Sequence, residues 1–201
     1  MIPHDRGDRL TRVLLAIDRL NGEDPHRVTM GGGAPRPWEI VHAERMTDWV
    51  LRLRPEASEA LRIAARGQHV RRWTIPRERY PQGRAGYLKW RETLKAFHAD
   101  TVAGLMHEAG YAEEDLARVR RLMSKRELGG DAQTQTLEDA LCLVFLETQF
   151  ADLRGKTPED KMRDIVRKTW AKMSPPARAA ALTLPLPADD RRALADWLKG
   201  V

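Results

Sequence analysis

Two histidines and an aspartate stand on three separate segments of this chain that are expected to be helical. His42 lies in the apolar-periodic segment 38–53, His69 follows 27 positions later, and Asp139 comes 70 positions after that. Imidazole and carboxylate groups that converge from inward-facing helix surfaces are suitable ligands for a divalent metal. We therefore predict that His42, His69 and Asp139 bind one divalent metal ion.

Other residues could take part in the same chemistry. His98 is a candidate fourth ligand or acid–base group, with support of a metal ligand as the alternative. We treat His98 and Asp139 as the candidate catalytic residues. Glu39 and His42 form a Glu-x-x-His pair of the kind found in di-iron bundles, but only one such pair occurs, so this interpretation is less favoured. Each histidine could instead be a hydrogen-bonded core residue.

A basic and aromatic segment from Ala64 to Arg91 adjoins His69. Prolines and glycines interrupt it, so we expect an ordered loop between two helices rather than one helix. Guanidinium groups pair with phosphate in two-pronged hydrogen bonds, and an aromatic ring could stack on a base. The predicted substrate-binding residues are Arg66, Arg72, Trp73, Arg77, Arg79, Tyr80 and Arg91. The alternative is a solvated basic loop whose aromatic residues pack on the core.

The composition limits the class of protein. A chain of 201 residues can bury a core and still form a single domain. The net charge of +6 permits an anionic partner without singling out nucleic acid, since the chain has 29 acidic residues beside 35 basic ones. The single cysteine, Cys142, suits a reducing compartment. The longest apolar run, Ala140 to Leu146, is too short to span a membrane, so we expect a cytoplasmic protein.

The spacing of apolar residues predicts an all-α fold of about eight or nine helices. No segment shows the alternation of a strand, and a flexible linker is expected between residues 22 and 37, including the glycines at 31–33. The segment 134–151 is apolar nearly all round, so it should be the central helix. The predicted helices are 8–20, 37–53, 55–69, 87–109, 113–125, 134–151, 157–172, a short one from 174, and 187–199.

The order and spacing of these residues resembles the HD superfamily of metal-dependent phosphohydrolases. The similar segments are WEIVHAERMTDWVLRL, LRIAARGQH, LKAFHADTVAGLMHEAGY and LEDALCLVFLE, which together cover roughly Pro37 to Glu147. The resemblance implies an HD-like core over about 37–150 with a C-terminal helical extension over 151–201. It also implies metal ligation by His42, His69 and Asp139. Val70 stands where the superfamily has a second aspartate, so a site for two metals is not expected, and the site holds one ion or none.

The whole chain also resembles the uncharacterised domain-of-unknown-function family 4202. The segments that carry this resemblance are ARGQHVRRW, PRERYPQGRAGYLKWR, LEDALCLVFLE and DKMRDIVRKTWAKMS. This family implies no activity, so the candidate site alone points to function.

Two functions remain open from the sequence. The leading one is metal-dependent hydrolysis of a phosphate ester in a nucleotide or other small molecule. The alternative is a non-catalytic protein whose degenerate site holds an anionic ligand or RNA. Val70 favours the alternative, and the histidines with Asp139 favour the enzyme. The expected partner is a small phosphorylated ligand, with RNA less favoured and no membrane; the sequence leaves the oligomeric state open.

Overall fold

The computed structural model describes residues 6–30, 32–124 and 130–200, and the chain there is mostly helical. Strands β1 (Arg27–Val28) and β2 (Arg36–Pro37) form a short antiparallel hairpin, and two 3-10 turns span Arg72–Thr74 and Arg77–Arg79. The all-α class is therefore confirmed. The helices are α1 (Arg6–Gly22), α2 (Trp38–Leu53), α3 (Glu59–Arg66), α4 (Arg84–Glu108), α5 (Glu113–Ser124), α6 (Ala132–Thr148), α7 (Phe150–Lys156), α8 (Glu159–Trp170), α9 (Pro175–Leu182) and α10 (Ala188–Trp197).

The described residues form ten helices rather than the predicted eight or nine, because α7 lies mostly in the segment between the predicted helices 134–151 and 157–172. Gln149 has non-helical backbone angles and separates α6 from α7, although neither glycine nor proline marks the break. Part of the predicted linker at 22–37 forms the hairpin instead. The glycine at 31 and the predicted end of the fifth helix at Lys125 lie outside the described residues.

The third helix is shorter than the spacing of apolar residues predicts. It begins at Glu59 rather than Pro55, because Ser58 Oγ accepts a hydrogen bond from the Leu61 N–H at 3.2 Å and caps the first turn. It ends at Arg66, so His69 lies in the following turn rather than on the helix. The fourth helix begins earlier than predicted, at Arg84.

Helix α6 is the most deeply embedded element, as predicted. Ten of its 17 residues are buried, and Leu143 is completely enclosed. Burying such a side chain contributes about 1.5–3 kcal/mol relative to leaving it exposed. Helix α2 packs alongside α6, where Trp49 Nε1 donates a hydrogen bond to Glu147 at 2.9 Å. One connected cluster of buried apolar side chains extends from Leu10 to Trp197.

A sharp turn after α3 directs the chain towards α4. Gly67 closes α3, and a Cβ atom there would overlap the Val102 side chain of α4, so only glycine allows this close approach. Arg71 has φ 52° and ψ 31°, a left-handed conformation that is unusual for a residue with a side chain. Residues 67–71 are called the site turn below, since they include His69. No helix in the described ranges is long and apolar enough to cross a bilayer.

Candidate functional site

Glu39, His42 and His69 form a cluster of potential metal ligands. Glu39 and His42 lie one turn apart on α2, and His69 approaches them from the site turn. One donor atom from each residue lies within 4.8 Å of the others, and His69 Nδ1 lies 3.5 Å from Glu39 Oε2. The imidazole rings of His42 and His69 are stacked, with centroids 3.8 Å apart. The cluster thus combines two imidazoles with one carboxylate, as many divalent-metal sites do.

Asp139 is not a member of this cluster, so the structure does not bring the three predicted ligands His42, His69 and Asp139 together in one compact group. Its two oxygens accept hydrogen bonds from the Ser174 N–H at 2.9 Å, the Ser174 hydroxyl at 2.6 Å and Gln135 Nε2 at 3.0 Å. The carboxylate therefore anchors the start of α9. Successive helix residues point about 100° apart, so the neighbouring Glu138 faces a different part of the molecule from Asp139. Glu39 supplies the carboxylate of the cluster that could hold a metal.

The buried polar groups of this cluster fit a metal ion. His42 is only 1% exposed, and neither of its ring nitrogens has a hydrogen-bond partner in the part of the chain that the structure describes. Burial holds the pKa of His42 well below its usual value, so the ring is neutral and can offer a lone pair. Burial also raises the pKa of Glu39 to about 7, against the opposing effect of His42 and Arg72. A divalent cation would give the His42 ring a partner and would place a positive charge beside the buried Glu39 carboxylate.

A second carboxylate positions the first turn of α2. Asp24 is completely buried, and its Oδ2 accepts the Glu39 N–H at 3.0 Å. Its Oδ1 accepts from the backbone N–H of His26 at 2.9 Å and lies 2.8 Å from His26 Nδ1. Asp24 therefore fixes the backbone that carries Glu39. Sequence reasoning missed this role, since Asp24 stands in a segment that was predicted to be a flexible linker.

A cavity of about 580 Å³ adjoins the ligand cluster and shares His69 with it. Faces of α4, α6 and α8 enclose the cavity, together with residues near the site turn. Among the lining residues that the structure describes, one is acidic: Glu138, which lies 3.6 Å from Lys172 Nζ. Two of the lining lysines also have acidic partners outside the cavity wall, Lys95 with Glu92 at 2.7 Å and Lys168 with Asp164 at 2.6 Å. Arg72 and Arg91 are therefore the lining cations that most favour an anionic ligand. The lining cations are Arg72, Arg91, Lys95, Lys168 and Lys172.

Two of the seven predicted substrate-binding residues line this cavity. Arg72 is partly buried, and its guanidinium lies 4.6 Å from the centre of the Trp90 ring. Burial lowers the pKa of Arg72, but an arginine remains charged at neutral pH. Arg91 lies further out, where it donates a hydrogen bond to the Tyr87 hydroxyl at 3.2 Å. Tyr87 also lines the cavity and was not predicted.

The other predicted arginines have structural partners. Arg66 forms two hydrogen bonds with Asp18 at 2.6 and 2.7 Å. Arg77 donates to the carbonyl oxygens of Tyr80 and Pro81, each at 2.9 Å, and so holds its own loop. Arg79 donates to the Thr74 carbonyl at 3.4 Å.

The two predicted stacking residues, Trp73 and Tyr80, are not part of the cavity wall. The expected basic loop is therefore ordered, but most of its polar side chains do not reach the cavity.

Three lysines outside the loop, Lys95, Lys168 and Lys172, also line the cavity, and sequence reasoning missed them. Lys95 follows Arg91 by four positions on α4, a spacing that puts both on one face of the helix, whereas Lys172 lies just beyond the end of α8. The spacing of Arg91 and Lys95 could have indicated a shared basic helix face, but the sequence does not show which distant helices meet around a cavity.

His98 lies in the cavity wall with a defined hydrogen-bonding arrangement. Its Nδ1 is 2.9 Å from the carbonyl oxygen of Val70. Because a carbonyl oxygen only accepts, Nδ1 carries the hydrogen and Nε2 presents a lone pair. Burial lowers the pKa of His98 to about 4, despite the hydrogen bond to Val70, so the ring is neutral at physiological pH. The predicted catalytic candidate is therefore near the ligand cluster, at 6.0 Å between the His69 and His98 ring centres.

Comparison with known families covers almost the whole chain. The model of the family described as "Domain of unknown function (DUF4202)" matches residues 11–194. The chain belongs to this family. No curated protein and no solved structure matches the chain. Family membership brings no activity with it, so a functional conclusion depends on the ligand cluster and the cavity.

Proposed function

We propose that this chain binds a divalent metal ion through Glu39, His42 and His69, and hydrolyses a phosphate ester of a small molecule in the adjacent cavity. The observation that carries the proposal is the junction of two features at His69. On one side lies the buried ligand cluster, in which the ring nitrogens of His42 have no hydrogen-bond partner among the described residues. On the other side lies the cavity whose wall includes Arg72 and Arg91. A metal-dependent phosphohydrolase needs both features in contact.

The cavity cations would hold the phosphate group. Arg72 can make a two-pronged hydrogen bond to phosphate oxygens, and Lys172 offers a compact charge beside Glu138. A hydrogen bond to a charged group contributes about 1.5–3 kcal/mol. The bound ion would polarise a phosphate oxygen and lower the pKa of a water molecule. His98, a neutral ring beside the cluster, would keep its place through the hydrogen bond to Val70.

The sequence resemblance to the HD superfamily supports the same proposal, with one metal rather than two. In this interpretation His42 and His69 keep their superfamily roles, and Glu39 contributes the carboxylate. Val70 has no carboxylate for a second ion, and its carbonyl oxygen orients His98 instead. An HD-like arrangement of the core helices is part of this proposal.

A second candidate function is ligand binding without catalysis. Two observations favour it: Val70 replaces a metal-bridging residue, and Asp139 is committed to Ser174. The chain would then hold a phosphorylated small molecule and leave it intact. RNA is a poorer match, since a cavity of about 580 Å³ suits a small ligand better than an extended strand.

Metal analysis of the purified protein tests the proposal. The wild-type chain should bind about one divalent ion, and Glu39→Gln and His42→Ala should each reduce the bound metal to background while circular dichroism still shows a helical fold. His107→Ala is the matched control, because His107 is an exposed histidine at the end of α4. Retention of the metal in both site variants would contradict the proposal. Metal-dependent release of inorganic phosphate from a panel of phosphate monoesters separates the enzyme from the non-catalytic alternative.

A further inference from the structure

Four apolar side chains from three helices converge on the cavity. Leu141 and Phe145 lie one turn apart on α6, Leu153 lies on α7 and Ile165 lies on α8. Each of the four is only partly buried, although each also packs against the hydrophobic core. Single exposed apolar residues are common on protein surfaces, but a group that shares one concave wall is typical of a ligand-binding site.

The composition of α6 makes this wall unusual. A helix that is apolar on nearly every side is expected to be buried on every side. Most of α6 meets that expectation, and Leu143 and Val144 are completely enclosed. Leu141 and Phe145 keep exposed surface because they line the cavity. An apolar ligand in the cavity would complete the burial of this side of α6.

The cations that are most open to an anion come from other elements of the wall. Arg91 is exposed on α4, and Arg72 belongs to the 3-10 turn that follows the site turn. Burial lowers the pKa of Arg72, and repulsion by the Arg91 guanidinium adds to that effect, so the two charges are neighbours. An anion that binds both guanidinium groups would offset this repulsion. The same cavity thus offers a cationic pair and an apolar surface on different elements.

We propose that the substrate class of the cavity is phosphate monoesters whose alcohol part is an apolar alkyl or aryl group. The phosphate binds Arg72 and Arg91, and the apolar group lies against Leu141, Phe145 and Ile165. Sugar and nucleoside phosphates are then poor ligands, because their polar groups would leave water for an apolar wall. The inference rests on the proposed function for the phosphate, and it adds the class of alcohol that the phosphate esterifies.

Calorimetry with a homologous series of alkylphosphonates tests this inference. Methyl-, propyl- and pentylphosphonate carry an anionic group like that of a phosphate monoester. Their carbon–phosphorus bond resists hydrolysis, so binding to the purified protein is measured at equilibrium. Complete transfer of one CH₂ group out of water corresponds to about a fourfold gain in affinity, and we expect at least about twofold per added CH₂. The heat-capacity change on binding should become more negative as the chain lengthens.

A polar ligand of nearly the same size controls for shape. In hydroxypropylphosphonate with its hydroxyl group on the terminal carbon, that hydroxyl replaces the terminal methyl group of butylphosphonate. The hydroxyl ligand should bind at least about fivefold more weakly, because its hydroxyl leaves water for apolar surroundings. Equal or tighter binding of the hydroxyl ligand would contradict an apolar site.

Matched substitutions assign the preference to the wall. Leu141→Asn and Ile165→Thr place a polar group in the cavity wall on two different helices. Each should reduce the gain per CH₂ and change the affinity for methylphosphonate by less than about twofold. Leu15→Asn is the control, since Leu15 is exposed on α1 and does not line the cavity. Thermal unfolding shows which variants are folded, and the use of two helices keeps the test decisive if one variant is not.

The results separate this inference from the proposed function. Equal affinities for methyl-, propyl- and pentylphosphonate would overturn the apolar part of the site and leave the anion site intact. A gain per CH₂ that survives in both wall variants would overturn the assignment to Leu141 and Ile165. Failure of inorganic phosphate and of every phosphonate to bind would overturn the proposed function together with the inference.

Discussion

Asp139 shows at the scale of one residue how a carboxylate can serve structure beside a candidate active site. It is 3% exposed and accepts two hydrogen bonds from Ser174, at 2.9 and 2.6 Å. These bonds attach the start of α9 to the central helix α6. A buried carboxylate with such partners stabilises the fold without contacting the ligand cluster.

Replacement of Asp139 by alanine should therefore destabilise the protein and spare the metal. The free energy of unfolding should fall by about 1–3 kcal/mol, since the Ser174 N–H and hydroxyl lose their acceptors. Urea denaturation measures that loss, and metal analysis of the folded variant should give the wild-type content. A folded Asp139→Ala protein that lacks metal would restore the original prediction that Asp139 is a ligand.

The sequence could predict the histidines of this site better than their carboxylate partner. His42, His69 and His98 were all singled out, and the structure brings them together. The choice between Glu39 and Asp139 depends on how α6 is rotated about its own axis, and one residue changes the direction of a side chain by about 100°. Apolar spacing does not settle that rotation for α6, which is apolar on nearly every side.

At the scale of the element, the start of α6 depends on one aspartate. Asp131 Oδ2 accepts hydrogen bonds from the Thr134 N–H and hydroxyl, each at 2.7 Å, and Arg118 donates to Oδ1 at 2.8 Å. Partial burial opposes ionisation, but these hydrogen bonds outweigh it and lower the pKa of Asp131 to about 2. The ionised carboxylate therefore caps the helix that forms the centre of the fold.

The contribution of Asp131 should depend on pH in a defined direction. Because its pKa is lower in the folded state than in the unfolded chain, its stabilisation is present above about pH 4 and is lost between about pH 4 and 2. Asp131→Ala should cost about 1 kcal/mol at pH 7, and the difference from wild type should shrink towards pH 2. Urea denaturation at a series of pH values measures it. A difference that stays constant over this range would exclude the charged cap.

Two glycines of α4 offer a matched comparison. A Cβ atom on Gly86 would overlap the carbonyl oxygen of Pro81, whereas a Cβ atom on Gly104 meets nothing within 4 Å. Gly86→Ala should displace the loop that Arg77 holds and expose it to proteases, with a loss of stability of about 1–3 kcal/mol. Gly104→Ala should leave the loop protected and stabilise the helix by up to about 1 kcal/mol. Similar protease cleavage in the two variants would contradict this view of Gly86.

The elements were easier to predict than their ends. Helices α2, α6 and α8 follow strong apolar spacing and were all expected. The end of α3 was placed too late because residues 67–69 continue a plausible helical pattern, and the contact between Gly67 and Val102 that stops it is long-range. The break at Gln149 has no local signal, since α7 begins with the buried Phe150, which fits the pattern of α6.

At the scale of the whole molecule, position and not total charge should decide which cations bind an anion. Arg72 lines the cavity, whereas Arg79 lies in the ordered loop outside it. Replacing either arginine by glutamine, as Arg72→Gln or Arg79→Gln, removes one positive charge from the chain. The two variants differ in whether the lost charge belongs to the cavity wall.

Arg72→Gln should weaken the binding of inorganic phosphate about tenfold or more, as expected for a lost hydrogen bond between charged groups. Arg79→Gln should change the affinity by less than about twofold, since an exposed charge at a distance is screened by salt. Calorimetry at low and at physiological salt measures both. Equal losses in the two variants would mean that net charge alone attracts the anion.

The residues of the candidate site differ in when they leave the ribosome. The three proposed metal ligands all lie within residues 39–69, while Lys172 completes the cavity wall about 100 residues later. Translation proceeds at about 5–20 residues per second, so about 5–20 seconds separate the two events. During that interval Glu39, His42 and His69 are already synthesised while α8 is not. On the proposed function, the nascent chain would therefore have time to bind an ion before the cavity wall is complete.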